Sequence, residues 1–282
     1  MQTGNLYFFG DTHGTLEIQK VFNVAFEFKA EDYVIVCGDF GVLWDYKAQG
    51  QYLDKKEKRI YKQIEKLPCT LLFVDGNHEN FDRLNTLPVV QKFGAEVGEY
   101  VKDKCYHLRR GEIYNIAGKN ALVCGGALSI DKEYRLFNES YTRKRSWWAG
   151  EDIKGWQIQK GCENIAKFNG NIDLVITHTC PQSFFSPMRN FIDIEHKIHD
   201  ENSAKLEKLL NALIDKKQSP QWFFGHWHAD FDFEFKRDES TIKAHCLYDE
   251  MFDLNAHTRE FLNHAYRLAK QEQMLKYGEN LS

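Results

Sequence analysis

Leu6-Tyr7-Phe8-Phe9 runs directly into Gly10-Asp11-Thr12-His13-Gly14. Four apolar residues without alternation fit a strand covered on both faces, and the glycine-flanked polar cluster ends it. On extended backbone, alternate side chains point the same way, so Asp11 and His13 can reach one ion. The pattern recurs along the chain. Tyr33-Val34-Ile35-Val36-Cys37 ends at Gly38-Asp39-Phe40-Gly41, and Thr70-Leu71-Leu72-Phe73-Val74 leads to Gly76-Asn77-His78-Glu79. Asp173-Leu174-Val175-Ile176-Thr177 ends at His178, and Gln221-Trp222-Phe223-Phe224 ends at Gly225-His226-Trp227-His228.

Between the early runs lie helical segments, roughly Leu16 to Phe28 and Tyr52 to Leu67. Apolar strands separated by helices predict parallel βαβ units, hence an α/β fold. Ala204 to Lys217 carries Leu206, Leu209, Leu210, Leu213 and Ile214 at the spacing of an amphipathic helix. Ser129 to Trp156 is polar, aromatic and irregular, and reads as a long functional loop or short helices. The charged stretch from Asn255 to Tyr277 reads as helical.

In open α/β sheets, ligands bind beyond the carboxyl ends of the strands, where all five polar clusters fall. Hard aspartate oxygens mixed with imidazoles suit Mn, Fe, Zn or Ni better than Ca or Cu(I). Thiolates are absent from the clusters, which excludes an ordinary structural zinc site. Singly, each motif has a plain structural explanation: a turn-forming Asn77, a core His178, an Asp and a His sharing a loop. Five in order, each closing an apolar run, favour a metal site.

Composition sets the remaining bounds. The chain has 282 residues with net charge -4, 43% hydrophobic and 28% charged. These proportions fit a globular enzyme and do not favour a general nucleic-acid binder, which would be basic. Seven cysteines, an odd number without a C-x-x-C pair, point to reduced structural thiols. No apolar run is long enough to span a bilayer and no signal peptide is visible, so the expectation is a cytoplasmic protein without membrane association.

The ordered set GDTHG, GDFG, GNHE, THTCP and GHWH resembles the calcineurin-like metallophosphoesterase superfamily, over Gly10 to His228. The resemblance implies a four-layer α/β sandwich, two mixed β-sheets flanked by helices. It implies a single domain over residues 1–282, with a substrate-loop region at about 129–156 and a helical tail at about 255–282. It also implies two divalent metal ions sharing a bridging hydroxide. One is held by Asp11, His13 and His228, the other by Asn77, His178 and His226, with Asp39 bridging. His78 is the non-ligand histidine that stabilises the transition state or protonates the leaving oxygen.

The sequence departs from the GDxVDRG form of some relatives, with Val42 and Leu43 at the usual Asp and Arg positions. Asp45 or Glu79 are the candidates to replace the missing carboxylate. Arg135 is the candidate phosphate clamp, set against simple pairing with Asp131, and Trp147 or Trp148 the candidate base platform, set against core packing. The expected activity is hydrolysis of a small or nucleotide-type phosphoester, as phosphodiesterase or phosphatase. A nuclease and a non-catalytic metal-binding scaffold for protein partners are the alternatives, and the oligomeric state is open.

Overall fold

The computed structural model describes residues 4–44, 54–194 and 200–261. Asp45 and the 262–282 part of the tail lie outside them. Strands β1 (Leu6–Phe9), β2 (Tyr33–Val36), β3 (Thr70–Phe73), β4 (Val89–Lys92), β5 (Ala95–Val101) and β6 (Cys105–Leu108) enter the first sheet. Strands β7 (Ile113–Ile116), β8 (Lys119–Cys124), β9 (Leu174–Thr177), β10 (Gln221–Phe224), β11 (Phe231–Arg237) and β12 (Ser240–Cys246) form the second. The chain then returns to the first sheet with β13 (Glu250–Asp253) and β14 (Thr258–Phe261).

The first sheet has the order β14-β13-β1-β2-β3-β6-β5-β4 and the second β11-β12-β10-β9-β8-β7. In the first, β1, β2, β3 and β6 are parallel and flanked by antiparallel strands. In the second, β8, β9, β10 and β12 are parallel, with antiparallel β7 and β11 at the edges. Both sheets are therefore mixed.

The unbroken apolar runs follow from burial on both faces. Leu6, Phe8, Ile35 and Leu72 point between the sheets, where they meet Val123, Leu174, Ile176 and Phe223. The Phe8 and Phe223 rings stack with centroids 3.8 Å apart. Tyr7, Phe9, Val34 and Val36 face outward onto Ile18, Val21, Ile60 and Ile64. The second sheet's outer face, with Val175, Trp222 and Phe224, packs on Ile158, Ile165, Leu206 and Leu209. Helix, sheet, sheet and helix form the four layers.

The helical expectations hold, the first two with shorter bounds and the third starting earlier, at Glu201. The first becomes α1 (Gln19–Asn23) and a 3-10 turn at Ala25–Glu27, and the second α2 (Lys55–Glu65). Then come α3 (Phe81–Leu84), α4 (Lys132–Thr142), α5 (Gly155–Lys167), α6 (Phe185–Met188) and α7 (Glu201–Asp215). Asp200 caps α7 by accepting from Asn202 N–H at 2.8 Å.

The start of the tail corrects the sequence reading. Thr258–Phe261 is a strand, paired antiparallel with β13, rather than part of a helix. Its charge suggested a solvated helix, but Arg259 is neutralised where it lies, bonding Asp232 Oδ2 at 2.8 Å and Glu250 Oε2 at 3.1 Å. Ion pairing to neighbouring strands lets a charged sequence serve as a sheet edge.

Candidate metal centre

The carboxyl ends of β1, β2, β3, β9 and β10 deliver the polar clusters to one place. Asp11, Asp39 and His178 are fully or almost fully buried there. Asp39 Oδ1 lies 3.2 Å from His178 Nε2 and Asp39 Oδ2 lies 3.3 Å from His13 Nε2. Asn77 Oδ1 is 3.2 Å from His178 Nε2, and Asp11 Oδ2 is 3.1 Å from His228 Nε2. His226 donates its backbone N–H to Asp11 Oδ1 at 2.9 Å, and its ring meets the His178 ring edge-on at 5.1 Å. Asp11, His13 and His228 form one group able to hold an ion, and Asp11, Asp39 and His178 another.

The outer contacts of each histidine fix which nitrogen faces the cluster. His178 Nδ1 donates to the Cys37 carbonyl at 2.9 Å, because a carbonyl can only accept. In the neutral ring, Nε2 is then a lone pair facing the oxygens of Asp39 and Asn77. His13 Nδ1 likewise donates to Glu17 Oε2 at 3.0 Å, leaving Nε2 toward Asp39. Asn77 Nδ2 donates to Ser129 Oγ at 3.4 Å, and Ser129 Oγ donates to Glu151 Oε2 at 2.6 Å. The amide oxygen of Asn77 is thereby turned inward.

Acceptors converging on acceptors need positive charge between them. Asp11 Oδ2 is buried without a hydrogen bond of acceptable geometry despite the nearby His228 nitrogen. Burial opposes charge on His13, yet hydrogen bonds to Asp39 and Glu17 push its pKa up to about 10. Burial likewise opposes charge on His178, and Asp39 and Asp11 lift it to about 9. Burial disfavours the Asp39 anion, but His178 and His13 hold its carboxyl well below the ordinary range. Protons supply the needed positive charge here, and divalent ions are the stronger source. The donor set of carboxylates, imidazoles and one amide oxygen fits them.

Two of the motif glycines exist for close approach. A Cβ at Gly76 would stand 2.1 Å from Asp39 Oδ1, and a Cβ at Gly225 would stand 2.1 Å from Asp11 Oδ1. Each motif's glycine makes room for another motif's carboxylate. Gly76→Ala is expected to weaken manganese affinity roughly 10–100-fold, the range for disturbed support of metal ligands. Titration calorimetry on the folded variant checks this, and unchanged affinity would show that Asp39 can move without loss. His13 (φ 40°), Asp39 (φ 48°), His226 (φ 69°) and His228 (φ 50°) are left-handed. Such residues cost about 1–3 kcal/mol each and persist where the surroundings enforce them.

His78 lies beside the cluster. Its ring stacks on Trp44 with centroids 6.2 Å apart and meets His13 edge-on at 5.1 Å. Arg135 reaches it from α4: its guanidinium donates to His78 Nε2, while Arg135 Nε bonds Asp131 Oδ2 at 2.8 Å. Arg135 thus pairs with Asp131 and also lies beside His78. Glu79 is buried and accepts from the Gly41 N–H at 3.3 and 3.2 Å, which orders the Asp39 loop.

Trp148 is 2% exposed, packs on Trp44 at 5.5 Å and donates to Asp82 Oδ2 at 3.0 Å. It is a core residue with no ring face open to a substrate, which corrects its expectation as a base platform. Trp147 is half-buried, with the Lys132 ammonium 4.3 Å above its ring.

Sequence reading did not find Glu17, Lys20 or the roles of Ser129 and Glu151. Glu17 had a signal, four residues after His13 at helical spacing. Lys20 is fully buried and donates to the carbonyls of Asp11 and Tyr248. The others had none, because their contacts join distant segments.

Residues 4–230 match the family of calcineurin-like phosphoesterases. The chain belongs to that family, and metal-dependent hydrolysis of phosphoesters is its class of chemistry. Among curated proteins no match was found. Solved structures similar to the chain include a sulfate thiohydrolase of Thermus thermophilus in complex with glycerol. It is 11% identical with a TM-score of 0.41, over 89% of this chain and 53% of that one. The chain thus spans about half of that protein's length. Another is the phosphopantetheinyl hydrolase of Mycobacterium tuberculosis, 11% identical with a TM-score of 0.41, over 88% of this chain and 90% of that one. Among the described residues, no helix is long and apolar enough to cross a membrane.

Proposed function

We propose that this chain hydrolyses a small or nucleotide-type phosphoester, as a phosphodiesterase or phosphatase, at two divalent ions drawn from Mn, Fe, Zn or Ni. The observation that carries the reading is the convergence of the inner nitrogens of His13 and His178 on the two Asp39 oxygens, with the outer nitrogens already committed. Asp11, His13 and His228 would hold one ion, and Asn77, His178 and His226 the other, with Asp39 between. Ions held there would neutralise charge on phosphoryl oxygens and supply a nucleophile at neutral pH.

The remaining work falls to protein groups. Glu17 and the Cys37 carbonyl keep the two imidazoles turned inward, and Ser129 with Glu151 does the same for Asn77. Arg135 is placed to give a phosphoryl oxygen the N–H that it otherwise gives His78. This supplies a guanidinium from α4 where Leu43 replaces the usual arginine. His78, then released, would stabilise the transition state or protonate the leaving oxygen.

Hydrolysis of a nitrophenyl monoester and the matching bis-nitrophenyl diester, after stripping and restoring each metal singly, tests the reading. Metal-dependent turnover is expected, and the diester-to-monoester ratio assigns the class. Absence of turnover with every metal would favour a binding scaffold. Arg135→Ala is expected to lower kcat/KM roughly 10²-fold, as for loss of one charge-stabilising donor. Unchanged kinetics would remove Arg135 from the site.

A further inference from the structure

Helix α4 is built inside out. Its one buried side chain is Arg135, which points to the candidate metal centre. Its apolar side chains face solvent: Tyr134 is 66% exposed, Phe137 60% and Tyr141 75%, and Ile130 in the preceding turn is 72% exposed. Positions 130, 134, 137 and 141 advance by four, three and four, which draws one stripe along the helix. At about 100° per residue, the stripe lies roughly 130° around the helix from Arg135. A single exposed apolar side chain needs no explanation, but three on one helix, in line with a fourth in the turn before it, mark an interaction surface.

We infer that this stripe is the seam of a homodimer in which α4 of one copy packs antiparallel on α4 of another. The charge pattern argues for a second copy. Asp131, Lys132 and Glu133 open the helix with a net negative charge, and Glu139, Arg143 and Lys144 close it with a net positive one. Glu133, Arg143 and Lys144 are exposed, with no ion-pair partner among the described residues. Antiparallel pairing sets the basic end of each helix against the acidic end of the other, and it aligns the helix dipoles favourably. Parallel pairing would stack like charges at both ends. Within the seam, Tyr134 then faces Phe137 of the other copy, and Ile130 faces its Tyr141.

The area is adequate for a specific but modest dimer. Large side chains of about 150–250 Å² each, mostly exposed, give roughly 500 Å² per copy. Two copies then bury about 1,000 Å², the lower limit of a specific interface. Because Arg135 lies on the far side of the helix, pairing leaves the metal centre open and braces the helix that carries the guanidinium.

Sedimentation equilibrium of the full chain across micromolar concentrations tests this, with Phe137→Glu and Tyr141→Lys as separate variants. Both side chains are exposed, so the variants are expected to fold, and circular dichroism checks that. The expected result is a concentration-dependent species of twice the 33.1 kDa chain mass, lost in each variant. Orientation is tested by oxidising Ile130→Cys and Tyr141→Cys copies, alone and mixed. Antiparallel pairing predicts cross-linking in the mixture well above either alone, because like positions lie about 16 Å apart along the axis. A monomer throughout, or a dimer that neither variant weakens, would overturn the inference. Flotation of a monomeric wild type with vesicles rich in phosphatidylserine, lost in Phe137→Glu, would overturn it in favour of a lipid surface.

Discussion

Asp39→Asn is expected to lower metal-dependent phosphoester hydrolysis about 10³-fold and to leave the protein short of metal. The carboxylate uses both oxygens inside the cluster. Oδ1 accepts the His78 backbone N–H at 2.7 Å and lies 3.2 Å from His178 Nε2, while Oδ2 lies 3.3 Å from His13 Nε2. An amide of the same shape can keep one of these roles. If its oxygen takes the place of Oδ1, its NH₂ faces His13 and donates to the lone pair intended for an ion. Loss of several kcal/mol of charge stabilisation, at about 1.4 kcal/mol per tenfold, gives the stated factor. Metal analysis beside kinetics checks it. A variant that keeps two ions and turns over within tenfold of wild type would remove Asp39 from the proposed bridging role. The metal-free variant is expected to melt lower than metal-free wild type, because His178 and His13 hold the Asp39 carboxylate well below its ordinary range and that attraction is lost with the charge.

The ligand motifs were legible because the chemistry sits at strand ends. An apolar run buried on both faces announces itself, and the residue two or three places beyond its end has a fixed destination. Asp11, Asp39, Asn77 and His178 are all of this kind. The surrounding supports were less legible. Ser129 and Glu151 meet Asn77 only after the chain has crossed from β8 into the 129–156 region and returned. Nothing local in Ser129-Ile130-Asp131 announces a hydrogen bond to an amide 52 residues earlier.

That same region shows where pattern reading stops short for a physical reason. Its mixture of charge and aromatics leaves a long loop and short helices both open, and Lys132–Thr142 is helical. A helix that buries an arginine and exposes its aromatics breaks the usual inside-out sorting by which helices are recognised. The two tryptophans divided by geometry alone: Trp148 went to the core and Trp147 to a half-exposed place beside Lys132. The tail failed in the opposite way. Thr258–Phe261 carries enough charge to read as solvated, but Arg259 finds Asp230, Asp232 and Glu250 on adjoining segments, and those partners are invisible in a local window.

Arg110→Ala is expected to cost about 3–5 kcal/mol of stability, the largest single loss predicted for a residue outside the metal cluster. Arg110 is 7% exposed, and its guanidinium grips the buried Asp75 carboxylate through Nε at 2.8 Å and through a second nitrogen. It also donates to the carbonyls of Asp152 at 3.0 Å and Gly150 at 2.9 Å and to Gln157 Oε1 at 3.1 Å. Truncation leaves Asp75 buried with His107 as its remaining ionic partner, at 2.9 Å. The carbonyls of Gly150, Glu151 and Asp152 lose this donor as well, while Gln157 Oε1 keeps the Lys154 N–H, and unmet buried acceptors add to the cost. Lysine cannot restore the fork, so Arg110→Lys is expected to recover only part of the loss. Urea unfolding of metal-free protein measures the effect without the metal's own stabilisation. A loss under 1 kcal/mol would mean that water replaces the guanidinium and that the cluster is not a structural anchor. The consequence reaches the site along the backbone. Asp75 is followed by Gly76 and Asn77, so a loosened carboxylate frees the turn that holds Asn77 and His78 at the cluster. Metal affinity is therefore expected to fall along with stability, although Arg110 donates its side-chain bonds to Asp75 and the 150–157 turn rather than to the predicted metal ligands.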